Sequence, residues 1–194
     1  DLKKAKVIPL YKSDDKHAVA NYRPISLLPV FSKVFERSVY NRLLSFIEGN
    51  NILHKNQFGF RKKLSTYMAL VELTESISKS IDEKDVTVGV FIDLAKAFDT
   101  VNHKILLDKL EHYGVRGLPL TWFANYLNNR QQYVNVDGID SEYMQISCGV
   151  PQGSILGPLR FIIYVNDLNN VSEILKLIMF ADDTNIFFKA KTLE

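Results

Sequence analysis

Two aspartates, Asp182 and Asp183, stand between two short apolar runs, residues 177–181 and 186–188. Runs of that length and composition read as strands, and the acidic pair between them reads as a tight hairpin turn. Asp is common in turns because its side chain bonds the local backbone, so the pair alone implies only a solvated turn. A third run changes its meaning. Residues 86–94 are β-branched and apolar, short enough for a buried strand, and they carry Asp93 near their end. A charge there does nothing for a purely structural strand. If that strand lies beside the hairpin, three carboxylates converge, and without a counter-charge they raise one another's pKa values. Divalent cations remove that cost, since Mg2+ takes hard oxygen ligands from one or two carboxylates together with substrate phosphates. Two such ions about 3.5–4 Å apart stabilise the attacking and leaving oxygens of an in-line phosphoryl displacement.

The rest of the chain supplies helices around these strands. Residues 1–29 mix short apolar runs with Pro9, Ser13-Asp14-Asp15, Pro24 and Pro29, and are expected to be extended or irregular. From Val30 the spacing turns helical: Phe31, Val34, Phe35, Val39, Leu43, Leu44 and Ile47 make one apolar stripe, ended by Gly49-Asn50-Asn51. A basic loop, residues 55–63, leads to a second helix over 68–81. Further helices are expected over 96–110, 122–127 and 159–168, with strands at 175–181 and 184–189. Residues 131–136 and 142–147 flank Asp137-Gly138 as a hairpin whose five-residue loop leaves the turn type open. That order of elements indicates an α+β chain.

Composition narrows the class. The 194 residues are 46% hydrophobic and 24% charged, which excludes a disordered or low-complexity protein. No run approaches the ~18–20 apolar residues of a membrane span, so no membrane partner is expected. Cys148 is the single cysteine, which excludes an internal disulfide and a Cys-based zinc finger. His17, His54, His103 and His112 show no metal-ligand spacing and receive no role. The chain opens on Asp1 without a signal pattern, and is expected to derive from a longer reading frame and to work inside the cell, in nucleus or cytoplasm. Residues 1–63 carry 13 Lys and Arg against 5 Asp and Glu, while 64–194 carry 11 against 17. A basic first third and an acidic remainder suit phosphate contacts in one part and metal ions in the other, or equally two solvated faces.

Five segments, in order, carry a resemblance. Residues 91–99 (Phe-Ile-Asp-Leu-Ala-Lys-Ala-Phe-Asp), 149–158 (Gly-Val-Pro-Gln-Gly-Ser-Ile-Leu-Gly-Pro) and 180–183 (Phe-Ala-Asp-Asp) resemble reverse transcriptase palm motifs. Upstream, residues 21–28 (Asn-Tyr-Arg-Pro-Ile-Ser-Leu-Leu) and 56–61 (Asn-Gln-Phe-Gly-Phe-Arg) resemble fingers motifs of non-LTR, LINE-type retrotransposon enzymes. The resemblance implies a right-hand polymerase, fingers-like over about 1–85 and mainly palm over about 86–194. An antiparallel palm sheet packs on helices, and the chain stops before a thumb. It implies an RNA-directed DNA polymerase that joins deoxynucleotides to a DNA primer on an RNA template, using two Mg2+ ions or Mn2+ in their place. The expected partners are RNA template, DNA primer, dNTP and the remainder of a parent polyprotein.

Carried onto this sequence, the resemblance makes Asp93 and Asp182 the principal metal ligands, with Asp183 in support. Phe98 becomes a steric gate against a ribose 2′-hydroxyl, although its spacing with Val101 and Ile105 equally fits a core residue of a helix. Gln152 and Gly153 would lie against the incoming nucleotide, where glycine permits close backbone approach; a plain turn is the other reading. Arg61 and Lys63 would serve the triphosphate, and Arg23 and Lys62 the template backbone. Two residues depart from the pattern. Leu64 stands where relatives often carry a polar residue, and Arg160 interrupts an apolar segment, where it either snorkels to the surface, reaches a phosphate or damages the fold. A decayed domain that only binds RNA or template–primer, and a group II intron-type enzyme, remain as alternatives.

Overall fold

The structure, a computed structural model, describes residues 2–192. In chain order its elements are β1 (Lys4–Tyr11), β2 (Tyr22–Leu27), α1 (Val30–Gly49), α2 (Thr66–Asp82), β3 (Val86–Ile92), α3 (His103–His112) and α4 (Leu118–Leu127). There follow β4 (Arg130–Val136), β5 (Ile139–Asp140), β6 (Met144–Ile146), α5 (Gly157–Tyr164), β7 (Lys176–Phe180) and β8 (Asp183–Ala190). The chain forms two compact units, each built from two segments. The first takes the segment ending at Phe46 together with Phe98–Phe161, and the second takes Ile47–Ala97 together with the segment from Ile162.

The first unit holds a sheet of order β2-β1-β4-β5, with β6 also paired to β4. The stretch expected to be irregular therefore supplies a central strand: β1 runs antiparallel to β2 and parallel to β4. Its signal is hidden because Pro9 sits opposite Pro24, and proline in a run argues against a strand. Alternation survives around it, with Ala5 and Val7 buried and Ile8 and Leu10 exposed. Asp137 and Gly138 both take positive φ between the paired Val136 and Ile139, the two-residue type I′ turn that matches strand twist.

The helices α1 and α3 differ from their expected form. Phe31, Val34 and Phe35 are 72%, 61% and 58% exposed, and the buried line of α1 runs instead through Ser32, Glu36, Leu43 and Ile47. The first half of that line is polar: the Ser32 hydroxyl donates to the Leu2 carbonyl (2.8 Å), and Glu36 is engaged as described below. The helix expected from residue 96 begins only at His103. Asn102 caps it, accepting from the Lys104 and Ile105 N–H groups, and residues 95–100 are turns with Lys96 at φ +53°.

The second unit centres on an antiparallel sheet of order β3-β8-β7, against which α2 packs. Phe58, Ala69, Ile178 and Phe187 form its core, with Leu64, Leu73 and Phe180 packed on them. Leu64, unusual as a loop residue, is thus used for packing. α5 ends at Tyr164 rather than near residue 168, and a 3-10 turn, Asn166–Asn170, follows. There the Asn166 side chain donates to the Ile52 carbonyl (2.9 Å) and accepts from the His54 N–H (2.8 Å), anchoring the loop that precedes Gln57.

Candidate active site

The second unit gathers the three aspartates at one end of its sheet. The β3–β8 ladder closes on Ile92 opposite Thr184, so Asp93, the residue after β3, follows at the end of the sheet where Asp183 lies. The β7–β8 ladder closes on Phe180 opposite Asp183, which leaves Ala181 and Asp182 as a two-residue loop. The backbone thus makes the expected juxtaposition. The carboxylates go less far: Asp93 and Asp183 are exposed, Asp182 is half-buried, and no three acidic, His or Cys side chains cluster as a metal cage among the described residues.

The turn is held from outside the hairpin. Gln57, wholly buried, accepts from the Ala181 N–H (3.0 Å) and the Gly59 N–H (2.8 Å), and its amide donates to the Ala181 carbonyl (3.3 Å). Beside it the Phe58 N–H donates to the Met179 carbonyl (2.8 Å) and the Met179 N–H to the Asn56 carbonyl (2.9 Å). A Cβ on Gly59 would lie 2.0 Å from the Ala181 nitrogen, so only glycine lets the two strands of backbone come this close. Gln57 received no role from the sequence; its only mark there is membership of the segment 56–61.

In the same unit, Arg61 spends one edge of its guanidinium on its own loop, donating from Nη1 to the carbonyls of His54 (2.9 Å) and Gln57 (3.1 Å). Lys62 and Lys63 are exposed, and Lys63 takes a positive φ of 64°. Burial, with Lys55 and Arg61 nearby, holds the His54 pKa below its ordinary value.

The first unit carries the remaining expected residues. Phe98 is half-buried and stacks on Phe161, ring centroids 4.7 Å apart at 21°. The loop bearing Gln152 and Gly153 is pinned along its length. Gly149 and Val150 donate to the carbonyls of Val101 (2.7 Å) and Phe98 (2.8 Å), and the His103 Nε2 meets the Gly149 carbonyl at 2.7 Å. Ser26 N–H donates to the Gln152 carbonyl (2.7 Å), and the Gln152 amide donates to Asp99 Oδ1 (3.3 Å). Gly153 sits at φ +111°, where a Cβ would stand 2.7 Å from the Ser26 carbonyl oxygen. A cavity of about 310 Å³, polar and apolar in equal parts, opens here, lined among others by Pro24, Ser26, Asp99, Gln132, Cys148 and Gln152. Arg23, on β2, is exposed.

Behind that loop lies a buried charge cluster. Glu36 Oε2 accepts from the N–H groups of Ile155 (2.7 Å) and Leu156 (3.4 Å), and the Tyr126 hydroxyl donates to its Oε1. Arg130 and Arg160 both place their guanidinium over the Tyr126 ring, at 4.7 and 4.8 Å. Arg160 therefore does not snorkel: it is fully buried, its Nη1 and Nη2 bond nothing, and burial pulls its pKa down. Of the three outcomes open to this residue, burial excludes the surface position.

With this geometry established, the chain's relatives can be placed. Residues 10–193 match the family of reverse transcriptases (RNA-dependent DNA polymerases). The chain belongs to the reverse transcriptase family. It is 34% identical over 199 residues to the RNA-directed DNA polymerase from mobile element jockey of Drosophila melanogaster, covering 98% of this chain and 22% of that protein. To the probable RNA-directed DNA polymerase from transposon X-element of the same species it is 36% identical, covering 89% of this chain and 19% of that protein. This reverse transcriptase domain, of the non-LTR retrotransposon type, spans about a fifth of the length of the curated relatives it matches. Its fold is that of apo telomerase from Candida tropicalis, with a TM-score of 0.70 at 13% identity over 99% of this chain and 44% of that one. The expected α+β fingers-and-palm architecture holds.

Proposed function

We propose that this reverse transcriptase domain adds deoxynucleotides to a DNA primer 3′-hydroxyl along an RNA template by a two-metal mechanism. The observation that carries the reading is the register that brings Asp93, Asp182 and Asp183 to one end of the sheet β3-β8-β7. Their chemistry fits Mg2+: all three offer hard carboxylate oxygens, and Mg2+ binds through one or two carboxylates plus substrate phosphates without an all-protein cage. Two bound ions supply an acidified primer 3′-hydroxyl and neutralised charge on the departing pyrophosphate. Asp93 and Asp182 are the principal ligands in this reading, and Asp183 adds negative potential beside them.

The other residues bind and orient. The Arg61 guanidinium, fixed at Nη1, and the exposed Lys63 ammonium hold triphosphate oxygens. Gln152, with its carbonyl and amide both tethered, presents a fixed edge to the nucleotide, and Gly153 keeps the backbone bare for close approach. Phe98, braced by Phe161, is the wall that a ribose 2′-hydroxyl would strike. Arg23 and Lys62 take template phosphates. A binding-only domain is the second reading, favoured by Arg160, a buried cation whose Nη1 and Nη2 lack hydrogen-bond partners.

Primer extension on oligo(dT)-primed poly(rA) with saturating Mg2+ tests both. Asp182→Asn is expected to lower incorporation by roughly a thousandfold or more. Comparable rates in variant and wild type refute the metal assignment. Full template affinity with no incorporation by the wild type supports the binding-only reading.

A further inference from the structure

We propose that Gln57 is the positioning residue of the acidic turn: it fixes the backbone at Ala181 so that Asp182 presents its carboxylate to a divalent cation. The proposal rests on the reading that Asp182 binds the metal, and it assigns a task to a residue of the 56–61 segment that the polymerase reading leaves without one.

Three observations converge. Ala181 has φ +59°, and of the two loop residues only Ala181 is positive. That is the pattern of a type II′ turn, whose first central position is normally glycine. An alanine held there is under strain, and such strain persists only where the surroundings over-determine it. Gln57 is the surrounding that does so. All three of its side-chain hydrogen bonds go to Ala181 or to its neighbour Gly59, satisfying both polar backbone groups of the strained residue. Two N–H donors on one side-chain atom and a carbonyl on the other also fix the orientation of the amide. Gly59, finally, is what permits the approach, since any side chain there would overlap the Ala181 nitrogen. The hairpin's own ladder, from Lys176 opposite Phe187 to Phe180 opposite Asp183, is complete without Gln57. What the clamp adds is the conformation of the residue immediately before Asp182.

Binding of Mn2+ to the full chain, followed by the electron paramagnetic resonance signal of the free ion, provides the test. Gln57→Met keeps the volume and removes every bond, leaving two backbone N–H groups without partners, and is expected to weaken Mn2+ binding about tenfold. Gln57→Glu retains the acceptor for both N–H groups and is expected to stay within about threefold of wild type. Thermal unfolding measured alongside confirms that the compared variants are folded. Should the methionine variant not fold, Gln57→Asn, which keeps an amide but withdraws it by one methylene, carries the same expectation. Mn2+ affinity equal to wild type in these folded variants overturns the proposal. Asp182→Asn binding Mn2+ as the wild type does overturns the underlying metal reading instead. The clamp is then judged by amide exchange at Ala181 and Gly59, where unaltered protection in Gln57→Met refutes it.

Discussion

Replacing Arg160 with leucine is expected to stabilise this protein. The guanidinium is fully buried, Nη1 and Nη2 have no hydrogen-bond partner, and Nε reaches the Leu156 carbonyl only at 3.4 Å. Arg130, equally buried, lies over the same tyrosine ring with its own Nε and Nη2 unbonded. Against two cations the cluster sets one carboxylate, Glu36, whose oxygens are already taken by Tyr126 and by the loop at 155–156. A buried donor without a partner costs about 1–3 kcal/mol, and more when it belongs to a charged group. The contact with the Tyr126 ring returns about 0.5–2 kcal/mol. Exchanging buried ions for apolar side chains of similar volume stabilises other cores by about 1–4 kcal/mol. The leucine is smaller than the arginine, so some gain is lost to the space it leaves, and a net roughly 1–3 kcal/mol is expected. For a chain of this size that is a rise of about 2–10 °C in Tm. Thermal and urea unfolding measure it, and Arg160→Met, which fills more of the volume, controls for the cavity. If both variants melt at or below the wild type, the reasoning about this cluster is wrong.

Three further outcomes follow from the same unit. Gly153→Ala is expected to cost about 2–3 kcal/mol, because φ +111° strains any side chain and the Cβ would press on the Ser26 carbonyl; a loss below about 0.5 kcal/mol in urea unfolding speaks against it. Burial, set against the Tyr126 neighbours, pushes the Tyr126 pKa up to about 12. Its stabilising share is therefore complete below pH 10, the unfolded value, and lost between pH 10 and 12. The drop is about 2 kcal/mol, read in the wild type and absent from the Tyr126→Phe variant. His103 runs the other way. Burial chiefly, then the fields of Arg160 and Arg130, hold its pKa below the ordinary 6.5 despite its bond to the Gly149 carbonyl. Its contribution is present above pH 6.5 and lost as pH falls through the lowered folded value, so urea stability should decline from pH 7 towards 5; a His103→Gln variant showing the same slope refutes the assignment.

How much of this was legible depended on whether local pattern and tertiary use agreed. The strand β7 and the latter half of α1 bury the apolar positions that their patterns mark, whereas β3, expected to be buried, forms where expected but leaves Val88, Val90 and Phe91 exposed, and α2 leaves Met68, Leu70 and Ile81 exposed. The family segments carry Asp93 just past β3, Asp182 in the turn between β7 and β8, and Gln152 and Gly153 in the loop before α5. β1 was illegible because its partner hides proline opposite proline, and its pairing with β4 joins residues more than a hundred positions apart. The start of α3 was illegible because Lys96 takes a positive φ that no lysine announces. Gln57 and Glu36 were missed for a different reason. Each is a polar residue wholly inside the protein, and its meaning resides in backbone N–H groups far away in sequence.

Burial of a polar side chain is thus not informative by itself; what it bonds decides its sign. Gln57, Glu36 and Arg160 are all 0% exposed. The first two break the apolar pattern of their surroundings and are saturated with partners, and those partners belong to the turn before Asp182 and to the loop after Gln152. A native chain tolerates such violations where a functional segment needs fixing. Arg160 breaks the pattern just as sharply, yet two of its three nitrogens bond nothing, and the one backbone group it touches is that of Leu156, the residue immediately before its own helix. Removing the carboxylate of Glu36 while both arginines remain strands two buried cations and should destabilise by several kcal/mol, on the order of 3–5. The same Glu36→Gln change made on top of Arg160→Leu strands only Arg130 and should cost distinctly less. A double-mutant cycle between these sites measures that difference directly, and additive effects would show that Arg160 is not part of the cluster's electrostatic balance.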